Sequence, residues 1–255
     1  MAHSDNSKPT AKPVQRRLPL LTTAARIHAT SFFLWFGLEA AAASQYSPVY
    51  SYITNPISDL GIPYVFKDAK HGNRVPESIR ASLMNVNFYT VAGLYRLGQL
   101  CMLYAASTEV ALDHTRMWTT TRNIRAGLSI LFLVGMSIAG AVHAGPREVA
   151  DGTIAIHFTG ASITLFGQNC NLILAAFLAY PIPNQARKHY RAISFLLGAV
   201  GIIVGLCIEV ASKFSYTGIT ERINVYCILI WGLITSVTIW AQHAGSDRIS
   251  GKKRA

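Results

Sequence analysis

His143 and His157 flank one short polar turn, HAGPREVADGTIAIH, and Asp59 lies in an earlier loop, NPISDLGIP. Two imidazoles and one carboxylate form a zinc ligand set that leaves a position open for water. Zinc-bound water ionises near neutral pH and would attack an ester or amide. Asp59, His143 and His157 are therefore the candidate catalytic and metal-ligating residues. A metal-free version uses Ser58 as nucleophile, a histidine as base and Asp59 as orienter. It is the weaker arrangement, because adjacent residues do not readily serve as nucleophile and orienter of one relay. Haem ranks lower still: its histidine pairs must match in depth within facing helices, whereas His143 and His157 sit at segment ends. Glu39, Ser58, Asn85, Glu209, Glu221 and Arg222 are the candidate ligand-binding residues, with groups suited to the polar part of a small molecule. The chain has no phosphate-cradling glycine loop, no GxSxG and no HExxH.

Apolar helices must position these residues. Of 255 residues, 51% are hydrophobic and only 14% charged, against about 25% charged in soluble domains. About 20 apolar residues cross a bilayer as a helix, and the dry interior leaves the backbone no other single-segment solution. Six segments meet that requirement: 22–44, 83–106, 124–144, 154–180, 192–213 and 222–242. The expected fold is all-α, a polytopic transmembrane bundle of six spans in the cell membrane. A disordered cytoplasmic tail (1–20) and a basic cytoplasmic tail (244–255) flank the helical domain (21–243), which carries an outer loop at 45–82. RRLPLL followed by EAAAASQ also resembles a secretory signal. Arg26, His28 and Glu39 interrupt that run, so retention as an anchor is expected; cleavage would leave five spans.

Charge sets the orientation. Lys8, Lys12, Arg16, Arg17 and Arg26 precede or open the first span, and Arg116, Arg122 and Arg125 lie near the start of the third. Arg187, Lys188, Arg191, Arg248, Lys252, Lys253 and Arg254 fall on the same side, while most acids fall on the other. This positive-inside pattern puts both termini in the cytoplasm. The net charge of +11 then reads as contact with anionic lipid, and nucleic acid is not an expected partner. All four cysteines (101, 170, 207, 227) fall in spans, where free apolar packing is expected.

In that orientation the ionisable residues gather at the outer boundary. An ionisable group within a span costs about 2.5–3.5 kcal/mol on insertion scales, so Glu39 and Glu209 need partners, Lys213 or Arg222, or enter the bilayer uncharged. A polar cavity opening outward is the expectation. Gln168, Asn169 and Asn171 are expected to make interhelical hydrogen bonds, and Gly198, Gly201 and Gly205 to allow close helix packing. Arg96 either snorkels inward or joins an ion pair, and His28 and His243 are expected at the inner interface.

The same outer residues carry a family resemblance. NPISDLGIP, SLMNVNFYTVAGL, HAGPREVADGTIAIHFTGA and GITERINVYCILIWGL, the last with Gly218, Glu221, Arg222 and Trp231, resemble the domain-of-unknown-function 998 family of bacterial integral membrane proteins. The resemblance spans roughly residues 25 to 240, with KDAKHGNRVPES as an insertion in the first loop. It implies a multi-pass architecture and supplies no activity. Three functional classes follow. The first binds a membrane lipid or membrane-protein partner in a polar cavity open to the outer leaflet. The second is a membrane-embedded hydrolase or transferase acting on a lipid, with zinc as its cofactor in one version. The third is a small-solute transporter, which the absence of a central proline in every span disfavours.

Overall fold

The computed structural model describes residues 12–46, 50–64, 66–67, 74–75, 79–107, 116–177 and 184–252. Within them the chain is helical apart from short turns and a two-residue antiparallel pairing of Phe66–Lys67 with Arg74–Val75. The helices are α1 (Lys12–Ser44), α2 (Ile79–Ser107), α3 (Arg116–Ala141), α4 (Pro146–Ala150), α5 (Ile154–Phe177), α6 (Asn184–Leu206), α7 (Ile208–Lys213) and α8 (Thr217–Lys252). A 3₁₀ helix, Ile57–Gly61, lies in the loop between α1 and α2. The six long helices coincide with the six apolar segments, and helical geometry extends into both stretches read as tails. The fifth segment is interrupted at Cys207, a turn residue between α6 and α7.

The long helices pack as a closed ring: α1 on α2, α2 on α3, α3 on α5, α5 on α6, α6 on α8, and α8 back on α1. Small residues bring neighbours close. A Cβ on Gly160 of α5 would lie 2.8 Å from the Gly135 carbonyl of α3, and one on Gly198 of α6 would lie 2.7 Å from the Asn169 carbonyl. The expected packing role of the Gly198–Gly205 face is thus visible, as backbone contact at Gly198 and as contact with the Asn169 and Asn224 side chains at Gly201 and Gly205.

Burial departs from that of a water-soluble bundle: an apolar core around Trp35, Tyr95, Phe132, Leu172 and Trp231 is accompanied by buried polar residues and an apolar exterior. Gln99, Ser129, Gln168, Asn169, Ser194, Asn224, Thr235 and Ser236 are fully buried, while Phe33, Tyr104, Leu131, Phe158, Phe177, Leu196, Ile203 and Trp240 are exposed. Large exposed apolar surface marks an interaction surface, and its spread over the ring suits lipid. Among the described residues three helices, over Met117–Ala141, Ala186–Leu206 and Thr217–Gln242, are long and apolar enough to cross a membrane. The others are more polar in sequence: Glu39 on α1, Asn87 and Gln99 on α2, and Gln168, Asn169 and Asn171 on α5 are all buried in the ring.

Their partners are interhelical, as expected. Asn169 Nδ2 donates to Asn224 Oδ1 at 2.7 Å, and Asn224 Nδ2 donates to the Gly201 carbonyl at 2.8 Å. Arg96 has no ion pair among the described residues and donates to Ser129 Oγ at 2.8 Å. Two positions correct the sequence reading. His28 is 1% exposed, packed at 4.7 Å against Tyr95 and 5.9 Å against Trp231. Arg125 is 2% exposed and lies inside the ring, contributing no charge to a surface. The side chains of Glu209 and His243 lie outside the described residues.

Candidate functional site

The loop between α1 and α2 is tied to the start of α8. Arg222 Nε donates to Glu39 Oε1 at 3.0 Å, both side chains being at most 5% exposed. Nη1 of the same guanidinium donates to the carbonyls of Tyr52 (2.9 Å), Asn55 (2.8 Å) and Gly218 (3.0 Å). Nη2 donates to the Tyr50 hydroxyl, and the cation lies over the Tyr50 and Tyr52 rings at 5.1 and 4.7 Å. Tyr50 passes the connection on, donating to the Pro56 carbonyl at 2.7 Å. Glu39 is equally occupied: Oε2 accepts from Trp35 Nε1 at 2.9 Å and from the Tyr226 hydroxyl at 3.0 Å. Glu221, the neighbour of Arg222, accepts from the Ile57 backbone N–H at 2.7 Å. Burial holds the Tyr50 phenol well above its ordinary value, outweighing the nearby Arg222 cation.

This lock explains the Pro-bearing sequence NPISDLGIP. Pro56 precedes the 3₁₀ turn with an extended backbone, and the turn buries Ile57, Leu60 and Ile62. Gly218 is required where the loop crosses α8, because a Cβ there would overlap the Asn55 backbone.

A second cluster sits beside the first. Asn85 Nδ2 donates to the Gly61 carbonyl at 3.1 Å and faces His143 Nε2 at 3.3 Å. An amide N–H can only donate, which assigns Nε2 as acceptor and the proton to Nδ1. That nitrogen is 3.7 Å from Glu148 Oε1. Tyr64 donates to the other Glu148 oxygen and accepts from the Arg147 backbone N–H at 3.2 Å. Arg147 also lies over the Tyr64 ring at 4.1 Å. Burial first, then the bond to Glu148, pushes the Tyr64 phenol up to about 12. The turn carrying His143 and Glu148 is shaped by Gly145 and Pro146 at the start of α4 and by Gly152, whose φ of 80° suits glycine. Asp151 then caps the start of α5, accepting from the Thr153 N–H at 2.9 Å.

Between the two clusters is a cavity of about 30 Å³, room for about two waters. Trp35, Ile57, Phe88, Met136, Leu165 and Val225 supply apolar wall; Ser58, His157, Thr164 and Glu221 supply polar groups. The Thr164 hydroxyl is buried without a hydrogen-bond partner. His157 Nδ1 is 2.6 Å from the Val142 carbonyl; a carbonyl only accepts, so Nδ1 carries the proton and Nε2 of the neutral ring is the basic nitrogen.

The candidate residues thus share one end of the bundle and divide into three groups. Glu39 and Arg222 form the lock, with Glu221 both holding the loop and lining the cavity. Asn85 and His143 belong to the second cluster. Ser58 and His157 line the cavity. Asp59 is half-buried on the 3₁₀ turn, close enough to Tyr50 and Glu221 for their charges to interact.

The structure does not bring Asp59, His143 and His157 together as zinc ligands: no group of three His, Cys, Asp or Glu among the described residues is arranged to hold a metal ion. The reason is local, since His157 is turned to the Val142 carbonyl and His143 to Asn85 and Glu148. The sequence reading passed over Trp35, Tyr50, Tyr64, Glu148, Thr164 and Tyr226. For Trp35 a signal exists, because it precedes Glu39 by one helical turn. Neither a family model, nor a curated protein, nor a solved structure matches the chain.

Proposed function

We propose that the protein is a six-span membrane protein of the cell membrane, with both termini cytoplasmic, that binds a lipid at the outer leaflet through the cavity under its locked loop. The observation that carries this reading is the composition of the cavity: a mainly apolar wall with Ser58, His157, Thr164 and Glu221 directed to it. Lipid sites combine apolar lining with a few polar groups that fix orientation. The space of about 30 Å³ corresponds to a closed state, and the loop over residues 50–64 lifts to admit the ligand. The apolar exterior of the ring and the buried Glu39–Arg222 pair fit a bilayer setting. The motif resemblance to the domain-of-unknown-function 998 family belongs to this proposal and rests on the four segments quoted above.

Full-length protein, purified in mild detergent and examined by native mass spectrometry and organic extraction, tests the reading. The expected result is one co-purifying lipid per chain, lost in Val225→Trp, which fills the cavity. A folded wild-type protein free of lipid, or a Val225→Trp variant that retains it, overturns the proposal.

A second reading has its own observation. Ser58 and His157 line the same cavity, and the basic nitrogen of the His157 ring is not the one engaged with Val142. This arrangement suits a metal-free lipid hydrolase with Ser58 as nucleophile. A fluorophosphonate probe would label wild type and neither Ser58→Ala nor His157→Ala; absence of labelling on wild type rejects it.

A further inference from the structure

One helical turn along α5 from Thr164, about 6 Å, the axis of the ring carries a second polar centre that the loop-end cavity does not use. Arg125 on α3 donates through Nε to Asn171 Oδ1 at 2.9 Å and through Nη2 to Gln99 Oε1 at 3.3 Å. Asn171 Nδ2 in turn donates to Gln168 Oε1 at 3.2 Å. The acceptor atoms of all three amides are therefore directed at donors within the cluster. What remains is a surplus of donors. The amide nitrogens of Gln99 and Gln168 are buried without a hydrogen-bond partner. Both glutamine amides approach the Tyr95 hydroxyl as donors, short of hydrogen-bond geometry, and that hydroxyl is itself bonded to the Ile228 carbonyl at 3.2 Å. His28 packs against the Tyr95 ring at 4.7 Å, and both of its ring nitrogens are buried without a partner.

The charge is unbalanced as well. No Asp or Glu among the described residues pairs with Arg125; the one Arg–carboxylate pair is Arg222–Glu39. A guanidinium cannot escape by losing its proton. Buried unpaired charge is destabilising even after relaxation, and each unsatisfied donor adds to that cost. Water would satisfy donors and leave the cation uncompensated. An anion does both.

We propose that Arg125, with the amides of Gln99 and Gln168 and the imidazole of His28, forms a binding site for a small monovalent anion of the halide class. Size follows from burial. Arg125 is 2% exposed, His28 and Tyr95 are 1%, and Gln99 and Gln168 are 0%, so there is no mouth for a phosphate headgroup or peptide. Tight packing points the same way: a Cβ on Gly98 would lie 2.9 Å from His28 Nε2. The site is independent of any ligand in the loop-end cavity.

The test is the melting temperature of the full-length protein in detergent, in chloride or bromide against gluconate at equal ionic strength. Saturating halide is expected to raise Tm by about 5 °C, because a ligand that binds only the folded state stabilises it by mass action. Arg125→Gln should abolish the halide dependence, whatever its own Tm. Should that variant fail to fold, Gln99→Leu keeps the cation and should weaken the apparent halide affinity by about tenfold. An identical wild-type Tm in halide and gluconate overturns the proposal, as does a halide shift that survives Arg125→Gln or is unchanged in Gln99→Leu.

Discussion

Glu39→Gln is the sharpest perturbation of the loop lock, because it removes one charge and almost no volume. In the native protein the Glu39 carboxylate accepts from Arg222, Trp35 and Tyr226, at 3.0, 2.9 and 3.0 Å. A primary amide has one acceptor oxygen. If that oxygen faces Trp35 and Tyr226, its NH₂ confronts the Arg222 Nε–H; if it turns, the NH₂ confronts Trp35 and Tyr226. At least one buried donor is stranded in either rotamer, at about 1–3 kcal/mol, and Arg222 loses its counter-charge. Breaking a buried pair by removing one partner costs about 3–5 kcal/mol, which for a chain of this size corresponds to a Tm lower by about 10 °C. Thermal melting in detergent reads the global effect. Hydrogen exchange at the Ile57 N–H, held by Glu221 beside Arg222, reads the loop. Arg222→Met should cost more, since Arg222 also holds three loop and helix carbonyls and Tyr50, and the double variant should lose less than the sum of the singles. A Glu39→Gln protein melting within about 2 °C of wild type, or strict additivity in the cycle, refutes this account of the lock.

Gly218→Ala should destabilise by about 1–3 kcal/mol through overpacking, because its new methyl meets the Asn55 backbone and not a mobile side-chain tip; faster proteolysis within residues 50–57 checks it. Asn224→Leu should lower the Tm by removing two interhelical hydrogen bonds worth about 0.5–1.5 kcal/mol each, leaving Asn169 Nδ2 with the Leu165 carbonyl alone and the Gly201 carbonyl without its side-chain donor. Alkali should loosen the loop end. Tyr64 holds its proton up to about pH 12 in the folded protein and to about 10 unfolded. The unfolded state therefore binds fewer protons in that window, and stability falls as pH rises from 10 to 12. Tyr64→Phe should flatten that part of a Tm–pH profile.

The sequence carried the architecture well because apolar length is a one-dimensional property. Six segments became six long helices, and the break at Cys207 lies where no proline marks it. The gathering of Glu39, His143, His157, Glu221 and Arg222 at one end was equally legible, since depth follows from distance along a helix. Rotation about the helix axis was not. Asp59, His143 and His157 share a depth, yet the His157 ring is turned to its own hairpin's carbonyl and His143 to Asn85 and Glu148. Arg125 fails in the same way: its position near the start of an apolar run suggests a surface charge, and only the ring geometry turns it inward.

The lock and the Arg125 centre show two ways for a ring of apolar helices to carry a buried guanidinium. Arg222 has a carboxylate, three carbonyls and a phenol, so its charge is matched within the chain. Arg125 has two amide oxygens and, among the described residues, no counter-charge. Structural stability alone favours the first arrangement, because a buried cation with neutral partners is destabilising relative to an apolar replacement of similar volume. A glutamine or methionine at position 125 would then be the more stable choice in a halide-free medium. That comparison separates the two explanations of the residue. If Arg125→Met melts higher than wild type in gluconate and lower in chloride, the guanidinium is held in the core by what it binds. If it melts lower in both, Arg125 acts as a crosslink between α2, α3 and α5, and its two amide contacts are its whole role.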